Sequence, residues 1–89
     1  MIDYPKLAAE VELRECAQDV VVYDKRGAKI HVVNATAGAI LGWCSGSASA
    51  PEIAGKLAQT YGIELERAER DVRAILATLE ASGVITQSA

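Results

Sequence analysis

The hydrophobic period of this chain lengthens at Asn34, and that change points to a sheet followed by helices. Upstream, Val11 and Leu13 alternate with Glu12 and Arg14, the period of two expected of a half-buried strand running to Cys16. Val20-Val21-Val22-Tyr23 and Lys29-Ile30-His31-Val32-Val33 are β-branched or aromatic runs, joined by the polar loop Asp24-Lys25-Arg26-Gly27. Two such runs around a short loop ending in glycine predict a hairpin, and the preceding strand makes it a three-stranded antiparallel sheet.

Downstream the period lengthens to that of helices. Asn34 fits an N-cap, because its side chain can accept from the free amides of a helix starting at Ala35. That helix, ATAGAILGWC, contains Gly38 and Gly42, each costing about 1 kcal/mol relative to alanine. Packing through Ile40, Leu41 and Trp43 must therefore hold it, with Trp43 expected to plug the core. Ser49 and Glu52 have capping-box spacing, with Pro51 in the first turn, and Ile53, Leu57 and Tyr61 follow at intervals of four. Gly62 fits the position just past that helix's end. A third helix is expected over residues 64–82, with Leu65, Ala68, Val72, Ile75, Leu76 and Leu79 as its apolar stripe and Gly83 as its stop. The stretch Val84-Ile85-Thr86 suits a short strand or a packed tail. The fold class is thus α+β, a winged-helix-turn-helix-like arrangement of three strands followed by three helices. Residues 1–10 read as a loosely held N-terminal arm, 11–86 as the domain and 87–89 as a tail.

Several function classes are excluded by what the chain lacks. Its 89 residues carry one modest core and little room for a deep catalytic cavity. A single histidine and two cysteines 28 positions apart match no metal-ligand spacing, so no metal and no cofactor are expected. Cys16 and Cys44 have no activating partner and are expected to be buried small hydrophobes in a reducing, cytoplasmic setting. No segment approaches the roughly 20 apolar residues needed to span a bilayer, so no membrane role is expected. The net charge of −3 argues against nucleic acid, whose binding depends on clustered cations. A winged-helix DNA-binding regulator is the chief alternative, yet residues 64–80 set five acids against three arginines, with an acidic first turn. His31 lies in an apolar strand, where a core or groove-lining role outweighs a catalytic one, and no catalytic residue is assigned.

Ordered blocks of the chain resemble the PqqD-like family. Val33-Asn34 and Thr36-Ala37-Gly38-Ala39-Ile40-Leu41 resemble its "L-N-x-[ST]-A-x-x-I-L" stretch. Cys44-Ser45-Gly46, Glu52-Ile53 and Leu57 continue the likeness, and Asp71-Val72, Ile75-Leu76, Leu79 and Gly83-Val84-Ile85 resemble its close. The resemblance implies a non-catalytic winged-helix element that binds the leader of a ribosomally made precursor peptide as an extra strand. It also implies delivery to a peptide-modifying enzyme, such as a radical-SAM enzyme, a cyclase or a leader peptidase. The pqq-type "Y-P-E-G" is replaced here by Tyr23-Asp24-Lys25-Arg26-Gly27, so a related pathway such as lasso-peptide maturation is equally compatible.

Given that resemblance, two groups of residues offer a peptide site; surplus β-branched residues in a small sheet and neutral surface positions on a helix are the other readings they allow. An edge strand offers unpaired amides and carbonyls, and Lys29, Ile30, His31, Val32 and Val33 form a run with apolar residues on both faces. On the last helix, Arg67, Asp71, Ala74 and Thr78 flank Ile75; small residues there leave room for a chain, and Arg67 and Asp71 offer hydrogen bonds. These ten residues are the expected peptide-binding set, in a monomer or weak dimer.

Overall fold

The computed structural model describes residues 4–87. In chain order it comprises β1 (Pro5–Leu7), β2 (Val11–Cys16), β3 (Asp19–Asp24), β4 (Lys29–Val33), α1 (Ala35–Gly42), α2 (Ala50–Tyr61), α3 (Leu65–Ala81) and β5 (Ile85–Gln87). The antiparallel sheet β2-β3-β4 leaves β4 at one edge, and β1 and β5 form a separate antiparallel ribbon. The expected strands-then-helices order is therefore present, within about two residues at each boundary.

The signals that set the helices are visible as bonds. Asn34 accepts from the Ala37 amide at 2.9 Å. In the capping box, Ser49 Oγ accepts from the Glu52 amide at 3.2 Å and Glu52 Oε1 accepts from the Ser49 amide at 2.9 Å. These bonds also hold the Glu52 carboxyl below its usual range. Gly62 closes α2 with φ 63°, the left-handed turn that glycine adopts without strain.

Between sheet and helices lies an aliphatic core in which Val22, Ile40, Leu41, Ile53 and Ala68 are fully buried. Each large side chain among them contributes roughly 1.5–3 kcal/mol by leaving water. Helix α1 sits against β3 so closely that a Cβ at Gly38 would overlap the Val20 side chain. Helix α3 packs against α2 and β5.

Several expectations change. Residues 5–8 are not a loose arm: Pro5 pairs with Gln87 and Leu7 with Ile85, while Gly46 donates to the Pro5 carbonyl at 2.9 Å. Pro5 is fully buried, and proline is tolerated at the first position of a strand. Residues 1–3 of the expected arm and 88–89 of the expected tail lie outside the described residues. Trp43 is half-buried at the end of α1 rather than a core plug, because Ile40 and Leu41 already fill the space beneath the sheet. Tyr61 and Leu65, assigned to apolar stripes, sit at helix ends and are exposed, since a stripe loses its cover where the helix outruns its neighbour.

Cys16 is exposed at the end of β2, whereas only Cys44 is buried. Burial pushes the Cys44 thiol up to about 11, and its Sγ lies 3.2 Å from the Ile40 carbonyl. Since the thiolate is the reactive form, a disulfide reagent should titrate Cys16 alone in the native protein and both cysteines in denaturant. Rapid native reaction of Cys44 would contradict this packing.

The hairpin's basic residues are mostly committed. Arg26 makes two bonds of 2.9 Å to the Asp24 carboxylate and donates from Nη2 to the Gly83 carbonyl at 2.7 Å. The Arg26 guanidinium holds the Asp24 carboxyl below its ordinary value. This bridge ties the β3–β4 turn to the end of α3. Lys25 pairs with Glu12 at 2.8 Å. Of the three basic residues, Lys29 alone makes no ion pair among the described residues.

Candidate functional site

The register of the sheet decides which side of β4 each residue occupies. Val33 pairs with Val20, Val32 with Val21, His31 with Val22, Ile30 with Tyr23 and Lys29 with Asp24. Because side chains alternate across a strand, His31 and Val33 share the core-facing side with buried Val22 and half-buried Val20. Ile30 and Val32 share the opposite side with Tyr23 and Val21, and they are 59% and 65% exposed. Arg14 lies over the Tyr23 ring at 5.6 Å, covering part of that outer apolar surface.

The outer edge of β4 carries no second neighbour strand among the described residues, since the sheet order ends there. Its alternate backbone groups are open to another chain. On its core-facing side, His31 is half-buried, and its Nε2 is the one buried side-chain polar atom without a hydrogen-bond partner among the described residues. The five strand residues chosen from sequence therefore form one continuous edge.

The five helix residues occupy one exposed flank of α3. Arg67, Ala74 and Thr78 are exposed, and Asp71 and Ile75 are half-buried. Ile75 packs on the core margin. Arg67 and Asp71 face each other one turn apart at 3.8 Å, a pairing that in so exposed a setting adds little stability. Thr78 Oγ1 donates back to the Ala74 carbonyl at 3.2 Å, which leaves the flank's surface small and smooth. No backbone packing comparable to that on α2 and β5 joins α3 to β4. The edge and the flank are thus two open surfaces, not a closed cavity.

Two clefts among the described residues lie elsewhere. One of about 380 Å³ runs between α2 and α3, lined by Ala50, Ala54, Val72 and Leu76 with Glu69, Arg73 and Glu80 at its rim. The other, of about 830 Å³, opens between the β2–β3 turn, α1 and Tyr61, with Gly42 and Trp43 on its wall. Neither includes any of the ten residues chosen from sequence. Sequence alone missed the outer-face partners Tyr23, Val21 and Arg14. Their only signal was the register, which sets Tyr23 and Val21 beside Ile30 and Val32 and Arg14 beside Val21. Among the described residues no group of three His, Cys, Asp or Glu side chains is arranged to hold a metal. No helix among them is long and apolar enough to cross a membrane.

Comparison with known proteins agrees with this architecture. Residues 19–85 match the model of the family coenzyme PQQ synthesis protein D (PqqD). The fold is similar to that of TbiB1 in complex with the TbiA(beta) leader peptide, with a TM-score of 0.81 and 19% identity over 94% of this chain and 98% of that one. It is also similar to lasso peptide synthetase B1 complexed with the leader peptide, with a TM-score of 0.80 and 25% identity over 93% and 98%. None of the curated proteins matches the chain.

Proposed function

This chain belongs to the PqqD family, and on that premise we propose that it is a non-catalytic recognition element for the leader of a ribosomally synthesised precursor peptide. The leader adds to β4 as a fourth strand and lies toward the Arg67, Asp71, Ala74, Ile75 and Thr78 flank of α3. The observation that carries this reading is the free β4 edge with its exposed Ile30 and Val32. An unpaired edge is the element that strand addition requires, since backbone bonds give affinity and alternate side chains give specificity. Two structures of the same fold, each in complex with a leader peptide, support it.

The recognition unit is residues 11–86 together with β1, whose pairing with β5 forms its base. It acts in the cytoplasm as a monomer or weak dimer and hands the bound precursor to a modifying enzyme. Nucleic acid has no place in this reading, because α3 opens on Glu64 and Glu66 and would meet phosphates with negative charge.

Calorimetric titration with the leader half of its cognate precursor peptide should give micromolar or tighter binding. Amide shifts should concentrate on residues 29–33 and the α3 flank. A gel shift with duplex DNA, coupled to silence toward the leader, overturns the proposal.

A further inference from the structure

The edge that accepts a peptide also dictates the order of polar and apolar residues in it. This inference rests on the strand-addition reading above. On an added strand, three consecutive residues lie opposite Ile30, His31 and Val32, whichever way the strand runs. The first and third face outward beside Ile30 and Val32, which are 59% and 65% exposed. The middle one faces inward beside His31, within the distance at which directly opposed side chains interact.

The two sides make opposite demands. The outer side is an unfilled apolar surface continued by Tyr23 and Val21. The inner side is aliphatic, with Leu13 and Val22 in the same cross-strand row as His31. Within that row the His31 Nε2 is buried and has no partner. A buried imidazole nitrogen without a hydrogen bond is a cost that an incoming polar side chain can remove.

We propose that this domain selects a leader carrying an apolar, hydrogen-bonding, apolar triplet, with a Ser, Thr, Asp or Asn side chain opposite His31. The triplet reverses the usual strand pattern, in which apolar residues face the core and polar ones face water. His31 is then the specificity-determining residue of the strand, and Ile30 and Val32 supply the outer pair.

A phage-displayed library of random linear peptides, selected on the folded wild type and on H31L, H31Q and the I30T/V32T double variant, tests this. The wild type and H31Q should enrich the triplet with a polar centre. H31L should enrich an apolar centre, and I30T/V32T should keep the polar centre and lose its apolar neighbours. A synthetic wild-type consensus peptide whose centre is changed to alanine should bind the wild type roughly fivefold or more weakly, the scale of one buried hydrogen bond. It should bind H31L no differently from the parent peptide. The same centre preference on the wild type and H31L overturns the triplet while leaving strand addition standing. Failure of the folded wild type to enrich any linear peptide overturns both.

Discussion

Proline placed at Val32 and, separately, at Val33 should produce two different losses. Successive amides along a strand point to opposite sides. One of these two residues therefore donates toward β3, and its neighbour donates toward the free edge of the sheet. The free-edge variant should keep the wild-type fold, since proline is tolerated where no ladder bond is lost. Its leader affinity should fall by roughly tenfold to a hundredfold, because a bound carbonyl loses its donor at a cost of about 1–3 kcal/mol. The other variant should loosen the hairpin and melt at lower temperature. Calorimetry and thermal denaturation on both proteins separate the two effects. Two well-folded variants that both bind as tightly as the wild type would remove β4 as the docking strand.

Replacing Gly38 by alanine should destabilise the protein although alanine is the better helix former. The propensity gain is about 1 kcal/mol. Against it, the new Cβ would overlap Val20 Cγ2 and stand 2.9 Å from Val20 Cβ, an atom fixed to the β3 backbone. Val20 cannot rotate that Cβ away, so α1 must lift from the sheet. Overpacking of this kind costs about 1–3 kcal/mol and at times more. The balance, a net loss of up to about 2 kcal/mol, should lower the melting temperature by up to several degrees in a domain of this size. Gly42→Ala is the internal control. Its Cβ would meet nothing within 4 Å, so that variant should be unchanged or stabilised by up to about 1 kcal/mol. Equal melting temperatures for the two variants would mean that α1 does not depend on this close approach.

What could be read from the sequence follows from where the determining physics is local. Helix α2 was legible to the residue at its start, because Ser49, Pro51 and Glu52 act within one turn. The hairpin was legible from its β-branched runs, but its left-handed residue is Ala28 at φ 52°, not Gly27. Turn geometry there is imposed by the Arg26 bridge to Asp24 and Gly83, a contact between residues 57 positions apart that no spacing rule encodes. The same limit hid β1. Three residues that begin on a proline read as an arm until β5, more than 75 positions later, supplies their partner. For the candidate site, the β4 residues followed from their composition, while their division into two faces needed the register. The α3 flank was legible from helical periodicity alone, since Ala68, Val72, Leu76 and Leu79 point inward as their spacing requires. Cys16 and Trp43 were misjudged because side-chain type ranks burial only on average, and both sit at element ends.

The pairing of Pro5 with Gln87 also makes the domain portable. The described chain enters and leaves through adjacent strands, so a host polypeptide could carry residues 5–87 as a surface insertion without stretching its own backbone. That doorway belongs to a ribbon separate from the sheet that ends in β4. Splicing the domain between two halves of another enzyme, or joining its ends and reopening it in the β2–β3 turn, should therefore leave the β4 edge accessible.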